Sequence, residues 1–596
     1  MDMVTVFIDD VEVKVPSDYT VLKAARKAGI KIPTLCYLKD VNQIGACRVC
    51  LVEIERARGL QASCVYPVSE GLKVYTHTQK VLSARKQVVE LLLSNHPQEC
   101  LTCSRSTNCE LQTLAKDLGI GEVPFVGEKK EYSLDLSSPS IVRDASKCIL
   151  CRRCVSVCNQ IQEVGVLGLI NRGFETTVGP AFKHGIGEVN CTNCGQCINV
   201  CPVGALKETD HTERVWKALG DPTKHVIVQT APSVRAGLGE EFGLPMGTPV
   251  TGKMFAALRR LGFNKIFDTD FTADLTIMEE GYEVIERLTT GGKLPVITSC
   301  SPGWVKFCEH TFPELLENLS SAKSPQSMFG ALAKTYYPET AGVDPASIYS
   351  VSIMPCTAKK FECQRPEMAQ AGTPDVDAVL TTRELGAMIR QAGIDFINLP
   401  DEEADAPMGI GTGAGDIFGA TGGVMEAAIR TVYEVVGGKP LPDLELAPIR
   451  GMEGIKEAAL EVPNFGEVRV AVAHGLSNAA KLMEIVKEGK KQYHFIEIMA
   501  CPGGCVGGGG QPLVTSAQRI ALDDDYQAIR REAVYAEDRG KALRKSHDNP
   551  AIKEVYDKYL GKPLGEKSHH LLHTHYTARG KYNVAIPDVE ETAAAK

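Results

Sequence analysis

The chain has 596 residues, of which 44% are hydrophobic and 23% are charged, values typical of a globular protein with a large buried core. Its net charge is −9 and it has no long basic runs, which argues against binding to nucleic acid. No uninterrupted apolar stretch reaches the roughly 18 residues that a membrane span needs. The acidic, strand-like start does not resemble an export signal. We therefore expect a cytoplasmic protein without a membrane span.

Cysteine is unusually frequent, with 21 residues, most of them in tight groups. A large chain in a reducing compartment has little use for so many disulfides, so the cysteines are expected to bind metal. The spacing within each group indicates which kind of metal centre it would hold.

The first cysteine group follows a predicted hairpin and a short helix. Residues 3–14 alternate between apolar and polar, which predicts a hairpin turning at Asp9 and Asp10. The next stretch, Y-T-V-L-K-A-A-R-K-A-G-I, predicts a short helix that ends at Gly29. The pattern C-x10-C-x2-C-x13-C then supplies the thiolates of Cys36, Cys47, Cys50 and Cys64. Over residues 1–79 this resembles the β-grasp fold of plant-type [2Fe–2S] ferredoxins with altered spacing. A structural zinc site is the alternative.

The second group combines one imidazole with three thiolates. After a helical run over 81–93, the pattern H-x3-C-x2-C-x5-C contains His96, Cys100, Cys103 and Cys109. A Cys3His zinc site has compatible spacing, but the neighbouring groups favour a [4Fe–4S] cluster in a module over 80–125. A neutral histidine in place of a thiolate removes one negative charge, so it should raise the potential of that cluster.

The third group is a repeated motif within residues 138–210. The pattern C-x2-C-x2-C-x3-C occurs at 148–158 and again at 191–201, as in bacterial two-cluster ferredoxins, where the fourth cysteine ligates the other cluster. One cubane is therefore assigned Cys148, Cys151, Cys154 and Cys201, and the other Cys158, Cys191, Cys194 and Cys197. Four clusters in series predict the transport of single electrons, although some clusters could be structural.

From residue 222 the pattern changes to strands alternating with helices, which predicts an α/β domain with parallel sheets over 222–565. The whole chain is thus expected to be a multidomain α+β protein with a C-terminal tail over 566–596. Ligands of such α/β domains bind beyond the carboxyl ends of the strands. Three predicted strands lead into Cys300, Cys356 and Cys501. With Cys505 these thiolates suffice for one further cubane.

Four motifs in this domain resemble those of the [FeFe]-hydrogenases. They are T-S-C-S-P-G-W (298–304), M-P-C-T-A-K-K-F-E (354–362), F-G-A-T-G-G-V-M-E-A-A (418–428) and E-I-M-A-C-P-G-G-C-V-G-G-G-G-Q-P (497–512). The resemblance implies reversible reduction of protons to H₂ at an H-cluster, a [4Fe–4S] cubane joined to a diiron azadithiolate unit with CO and CN⁻ ligands. It assigns the cubane Cys356, Cys501, Cys505 and one residue of T-S-C-S-P, with Cys505 as the bridging ligand. The glycines around Cys505 are expected to leave room for the diiron unit.

One motif departs from the commoner family form T-S-C-C-P, in which one cysteine ligates the cubane and the other passes protons. Only Cys300 remains here, followed by Ser301. A thiolate is the better iron ligand, which favours Cys300 as the ligand. The register of the motif favours Cys300 as the proton-carrying thiol, and the sequence leaves both readings open.

The same resemblance assigns the other residues of the pocket and a proton path. Lys359 would donate to a cyanide ligand and pair with Glu362, and Pro232 and Ser233 would line the second cyanide. The residues expected to form the wall of the cavity are Gln326, Met354, Met499 and Phe418. Core packing is the alternative role for the two methionines and Phe418. The proton path would run through Ser320, Glu280 and Glu283; a solvated helix face is the alternative for the two glutamates, which lie on one helix face.

The C-terminal tail, S-H-H-L-L-H-T-H-Y-T-A-R-G-K-Y-N, resembles that of large subunits of NAD(P)-linked, often electron-bifurcating, hydrogenases. The resemblance implies a flavin- and NAD(P)-binding iron–sulfur partner and a small [2Fe–2S] subunit. A stand-alone hydrogenase that exchanges electrons with ferredoxin is the alternative. Two alternatives come from other classes. The first 200 residues also resemble the electron-input subunit of respiratory complex I, an electron-transfer component without hydrogen chemistry. The other alternative is an iron–sulfur assembly protein related to the hydrogenases, which would not be expected to keep Lys359 or the two glutamates.

Overall fold

The computed structural model describes residues 2–370, 372–523 and 525–580 of the chain. Its first part is a five-stranded mixed sheet in the order β2-β1-β5-β3-β4. The strands are β1 (Met3–Ile8), β2 (Val11–Pro16), β3 (Leu51–Ile54), β4 (Gln61–Ala62) and β5 (Leu72–Tyr75). The predicted β1–β2 hairpin is confirmed, and Asp9 and Asp10 turn it with positive φ angles of 48° and 64°.

Three helices accompany this sheet and the segment that follows it. They are α1 (Val21–Lys27), α2 (Gln79–Ser94) and α3 (Glu110–Asp117). The hydroxyl of Thr20 accepts a hydrogen bond from the Lys23 N–H at the start of α1, and Thr78 caps α2 in the same way. The loop with the imidazole and three thiols lies between α2 and α3.

The segment with the repeated cysteine motif has only short elements, because its cysteine loops take most of the chain. They are α4 (Arg153–Ser156), α5 (Gln196–Asn199), β6 (Ile141–Arg143), β7 (Gly168–Ile170), β8 (Thr177–Gly179) and β9 (Leu206–Glu208). Strand β6 pairs with β9, and β7 pairs with β8, both antiparallel. Helix α6 (Thr212–Leu219) leads into the largest part of the chain.

Two four-stranded sheets form the centre of the largest part, in the orders β11-β10-β13-β14 and β12-β17-β16-β15. Their strands are β10 (His225–Thr230), β11 (Lys265–Asp268), β12 (Val296–Ile297), β13 (Ile348–Met354), β14 (Ala378–Thr381), β15 (Ile455–Val462), β16 (Gly466–His474) and β17 (Phe495–Met499). The first sheet is fully parallel. In the second only β15 is antiparallel, so the prediction of an α/β fold with parallel sheets is confirmed.

Helices cover both sheets. They are α7 (Pro232–Arg235), α8 (Thr251–Leu261), α9 (Thr269–Thr290), α10 (Pro302–Thr311), α11 (Pro325–Lys334), α12 (Tyr336–Ala341), α13 (Lys359–Glu362), α14 (Thr382–Gln391), α15 (Gly413–Asp416), α16 (Gly423–Gly437), α17 (Leu476–Lys487), α18 (Ser516–Ala521), α19 (Tyr526–Gly540), α20 (Pro550–Val555) and α21 (Glu566–Leu572). Among the described residues no helix is long and apolar enough to cross a membrane. The tail prediction extends to residues 581–596, which lie outside the described residues.

A buried guanidinium ties the elements behind the site together. Arg235 on α7 donates to both oxygens of Asp268 at 2.8 Å, to Asp270 at 3.2 Å and to Asp416 at 2.9 Å. These carboxylates lie at the end of β11, on α9 and on α15. Because an unpaired buried charge is costly, this cluster holds three segments in one arrangement around Arg235.

Candidate metal centre and proton relay

A cavity of about 810 Å³ lies where strands of both sheets end. Twelve of the residues assigned to the site from sequence line it: Pro232, Ser233, Cys300, Ser301, Gln326, Met354, Cys356, Lys359, Phe418, Met499, Cys501 and Cys505. The other four assigned residues, Glu280, Glu283, Ser320 and Glu362, lie outside its lining and are connected to one another or to Lys359 by hydrogen bonds. The sheet topology therefore brings distant segments of the chain to one place.

The thiols reach the cavity because their strands are parallel and end on the same side. Cys356 follows β13 of the first sheet by two residues, and Cys501 follows β17 of the second sheet by two. Cys505 lies in the glycine-rich loop after Cys501. Burial raises the pKa of Cys505 to about 12 and that of Cys501 well above its ordinary value, and the charge of Cys356 adds to both shifts. Without metal these thiols are therefore neutral.

The glycines around Cys505 were expected to leave room for the diiron unit, but close contacts with protein backbone already require them. A Cβ on Gly508 would lie 2.1 Å from the carbonyl oxygen of Pro355, and one on Gly509 would lie 2.3 Å from that of Cys194. At Gly504, with φ of 94°, it would lie 2.6 Å from the Thr421 nitrogen. Close approach of protein backbones already requires these glycines, although Gly504 and Gly508 also line the cavity.

The single cation among the assigned residues is held firmly at the cavity wall. Nζ of Lys359 donates to Oε2 of Glu362 and to Oγ of Ser324, both at 2.7 Å, and to the Cys300 carbonyl at 3.2 Å. Glu362 also accepts from Ser324 and from the Gln326 amide, each at 3.0 Å. The sequence analysis missed Ser324, although it lies only two residues before Gln326.

Two buried polar atoms on the wall have no partner among the described residues. They are Oγ of Ser233 and Oε1 of Gln326. An unpaired buried polar atom costs about 1–3 kcal/mol, so their presence fits a cavity that receives a polar group. The remaining wall is apolar, because Met354, Met499 and Phe418 face the cavity while also packing in the hydrophobic core.

Cys300 and Ser301 have different surroundings. Oγ of Ser301 accepts a 3.2 Å hydrogen bond from the Ala500 N–H, directly before Cys501. The Cys300 thiol lies toward Glu280: burial, followed by the charges of Glu280 and Cys505, raises its pKa well above the ordinary value. Ser301 is thus bonded to the backbone directly before Cys501, whereas the charged neighbours of the Cys300 thiol include both Glu280 and Cys505.

The two glutamates of α9 are buried, at 2% and 5% exposure, and so do not form a solvated helix face. Oγ of Ser320 donates to Oε2 of Glu283 at 2.6 Å, and Arg287 donates to Oε1 of the same carboxylate at 2.5 Å. Burial, with a contribution from Glu283, raises the pKa of Glu280 to about 8. Glu280 is therefore protonated at neutral pH, between a thiol and a serine–carboxylate pair.

The repeated cysteine motif reaches this cavity directly. Cys194 lines it, which the sequence analysis did not predict. The Gln196 amide donates to the Gly507 carbonyl at 2.8 Å, and Thr357 Oγ1 donates to the Asn193 carbonyl at 2.6 Å. The Thr357 hydroxyl and the loop after Cys505 thus hold the segment of the second cysteine motif against the site.

Cysteines of the first and the third N-terminal groups also lie together. Cys148, Cys151, Cys154 and Cys201 line one cavity of about 480 Å³, and the sulfurs of Cys50 and Cys64 are 3.4 Å apart. Burial is the main cause that lowers the pKa of His96 to about 4, which leaves its imidazole neutral and able to bind metal. Among the residues that the structure describes, no three His, Cys, Asp or Glu side chains surround a position for a single metal ion.

Contacts also connect the N-terminal groups with one another. The Asn42 amide donates to the carbonyl of Cys36 at 2.7 Å and to that of Cys151 at 3.0 Å. A Cβ on Gly204 would lie 2.8 Å from the sulfur of Cys103. Both of the first two groups therefore adjoin the cavity that contains Cys151 and Cys201.

Comparison with known proteins identifies the class. The family model for the iron-only hydrogenase large subunit, C-terminal domain, matches residues 224–509, and that for the iron hydrogenase small subunit matches 524–579. The N-terminal part matches a 2Fe-2S iron-sulfur cluster binding domain (1–79), the NADH-ubiquinone oxidoreductase-G iron-sulfur binding region (85–124) and the ferredoxin-like domain of NADH-quinone oxidoreductase subunit 3 (138–207).

Individual relatives cover almost the whole chain. The NADP-reducing hydrogenase subunit HndD of Solidesulfovibrio fructosivorans is 53% identical, over 97% of this chain and 100% of its own length. Iron hydrogenase 1 of Clostridium pasteurianum is 45% identical, over 96% and 100%. A solved variant of the [FeFe]-hydrogenase HydA1 of Chlamydomonas reinhardtii is 44% identical with a TM-score of 0.55, over 62% and 100%. This chain belongs to the iron-only, or [FeFe], hydrogenase large-subunit family.

The raised pKa of Glu280 gives a prediction for Glu280→Gln. The folded state binds this proton more tightly than the unfolded state, so the stability it contributes is complete below about pH 4.5 and is lost as the pH rises through about 8. We expect the infrared C=O stretch of a protonated carboxyl at pH 7 in the parent, its loss near pH 8, and its absence from the variant. Glu286→Gln, an exposed position on the same helix, is the control. Identical spectra for parent and Glu280→Gln at pH 7 would contradict the assignment.

Proposed function

We propose that this chain is the catalytic subunit of an [FeFe]-hydrogenase and catalyses 2H⁺ + 2e⁻ ⇌ H₂. The observation that carries the proposal is one cavity that is lined by thiols and adjoins both a ferredoxin-like segment and a buried carboxyl group. Cys356, Cys501 and Cys505 supply thiols, Cys194 of the ferredoxin-like segment adjoins them, and a relay begins at Glu280. Such a cavity provides metal ligands, an electron source and a proton source around one volume.

The residues present fit an H-cluster. Cys356, Cys501 and Cys505 would ligate the cubane, with Cys505 bridging to the diiron unit. Lys359 is available as a cationic donor toward one cyanide, and Ser233 and Gln326 have free polar atoms in the same cavity. When bound, this group supplies the iron chemistry that interconverts protons, electrons and H₂.

We assign Cys300 as the thiol that passes protons and Ser301 as the fourth residue at the cubane. The Ser301 hydroxyl is already held beside the Cys501 loop by the Ala500 N–H. The thiol of Cys300 lies toward Glu280, which can deliver a proton to it. The order of the relay is then Cys300, Glu280, Ser320 and Glu283, with Arg287 orienting the last carboxylate.

Electrons would arrive from the opposite side through the N-terminal clusters. We assign one [2Fe–2S] cluster to 1–79, one [4Fe–4S] cluster to 80–125 and two to 138–210, ahead of the catalytic domain (222–565) and the tail (566–596). The contacts of Asn42 and Gly204 support two inputs that meet at the cubane of Cys148, Cys151, Cys154 and Cys201. The second cubane, with Cys194, would deliver electrons to the cavity.

The electron donor is proposed to be NAD(P)H, within a cytoplasmic complex that can be electron-bifurcating. The relative HndD is named as a subunit of an NADP-reducing hydrogenase, which supports a partner that binds flavin and NAD(P) and a small [2Fe–2S] subunit. Ferredoxin is the second proposed partner, and it alone would serve a stand-alone enzyme.

Expression with the H-cluster maturation machinery tests the activity. We expect infrared bands of CO and CN⁻, and H₂ evolution with reduced viologen but none with NAD(P)H and this chain alone. Cys505→Ala should lose H₂ evolution while it retains the electron paramagnetic resonance signals of the N-terminal clusters, because those clusters have separate ligands. Full turnover by Cys505→Ala, or matured parent protein without CO and CN⁻ bands, would refute the proposal.

Substitution of the two neighbouring side chains tests their assigned roles. Cys300→Ala should lower H₂ evolution by about 100-fold or more, the usual scale for loss of a proton-transfer group, without loss of cubane iron. Ser301→Ala should lower the cubane iron content of protein made without the diiron unit. The reverse pattern, with iron lost only from Cys300→Ala, would show that Cys300 is the ligand.

A further inference from the structure

The end of the described chain covers the proton relay. Residues 566–580, here called the C-terminal strap, comprise α21 and an extended stretch across the loop at 319–323. The Lys323 N–H donates to the Leu572 carbonyl and the Thr574 N–H to the Ser321 carbonyl, both at 2.8 Å. The Tyr576 hydroxyl donates to the carbonyl of Ser320 at 2.9 Å. The strap is therefore fixed to the serine loop of the relay.

The strap inserts one histidine beside this relay. His573 is only 2% exposed, and both ring nitrogens have partners. Its Nδ1 lies 2.8 Å from Oγ of Ser321, and its Nε2 lies 3.0 Å from Oε2 of Glu279. The relay from Cys300 to Glu283 includes none of these three residues.

Glu279 determines which ring nitrogen carries the proton. This fully buried carboxylate also accepts from the hydroxyls of Tyr556 and Ser568 and from the Leu564 N–H. Burial alone would raise its pKa, but the hydrogen bonds from His573, Ser568 and Tyr556 outweigh burial and lower the pKa. A carboxylate only accepts, so Nε2 of His573 donates to Glu279.

Ser321 joins this histidine to the carboxylate at the end of the relay. Its N–H lies 3.2 and 3.3 Å from the two oxygens of Glu283, and its Oγ lies 3.4 Å from Oε1. A hydroxyl donates one proton at a time. It points to Nδ1 when the imidazole is neutral, and it can point to Glu283 when Nδ1 is protonated. The protonation of His573 therefore decides where Ser321 donates.

We propose that His573, with Glu279 as its counter-ion, stores a proton that passes through Ser321 to Glu283. In this step the Nδ1–H bond breaks as an O–H bond forms on Ser321, and the original hydroxyl proton moves to Oε1 of Glu283. Imidazolium and carboxylate become imidazole and carboxylic acid, and no electron moves. The inference rests on the proposed function, in which each turnover consumes two protons, one of which Glu280 can hold.

Several titratable or charged groups surround the stored proton. They are Glu279 on α9, His569 stacked on His573 with ring centroids 4.6 Å apart, Tyr556 through Glu279, and Glu283 with Arg287 through Ser321. The nearest charge is the Glu279 carboxylate, whose Oε2 lies 3.0 Å from Nε2 of His573. His569 is exposed, so the pair has a titratable neighbour in solvent.

Turnover measurements on matured protein test the proposal. His573→Gln can keep a donor toward Glu279 and an acceptor toward Ser321, but it cannot hold an extra proton. We expect it to lower H₂ evolution with reduced viologen by about tenfold at pH 6, where imidazole groups carry the extra proton, and by less at pH 8, where they are mostly neutral. Ser321→Ala should have the same effect, and the double variant should lose no more, because both residues act in one branch.

The controls separate storage from a structural role. His570→Gln changes an exposed histidine of the same helix and should leave the pH profile unchanged. If His573 had only a structural role, His573→Gln would keep the pH dependence of H₂ evolution seen in the parent. That result would overturn the proposal, and so would rates within twofold of the parent at both pH values. A parent without H₂ evolution would instead refute the proposed function.

A second measurement needs no H-cluster. In protein labelled with ¹⁵N-histidine, we expect the Nδ1 signal of His573 to change on Ser321→Ala and on Glu283→Gln, but not on Glu286→Gln at an exposed position of the same helix. If the Nδ1 signal of His573 is unchanged in both Ser321→Ala and Glu283→Gln, the proposed path from His573 through Ser321 to Glu283 is wrong, whatever the catalytic result.

Discussion

Burial of several thiols at the meeting point of two parallel sheets is the constraint on which this site depends. Cys356 and Cys501 come from different sheets and share a cavity because both strands end on its side. Burial keeps the thiols neutral in the metal-free protein, so iron must displace their protons to bind. In the proposed function, formation of the metal centre would therefore depend on the folding of both sheets.

The proposed function assigns one part of the cavity surroundings to electron transfer and another to proton transfer. On one side, Gly509 and Gly195 bring the ferredoxin-like segment so close that side chains are excluded. In the proposed function, this close approach would shorten the distance that an electron travels. On the other side, Cys300 leads to buried carboxylates on α9. The residues proposed for the electron input differ from those proposed for the proton relay.

The sequence allowed prediction of those features that local spacing determines. The strands that lead to Cys300, Cys356 and Cys501 followed from apolar runs, and the twin cysteine motif followed from its regular intervals. The partners of the relay did not, because Ser321 and His573 are 252 residues apart and nothing local connects them. The glycine loop was assigned to the cofactor because sequence does not reveal that Pro355, Thr421 and Cys194 pass beside it.

The most direct test of the central claim is anomalous diffraction at the iron absorption edge from crystals of the matured protein. We expect an iron peak in the cavity, in bonding contact with the sulfurs of Cys356, Cys501 and Cys505. A zinc signal at that position, or iron bound elsewhere with these three sulfurs free, would contradict it.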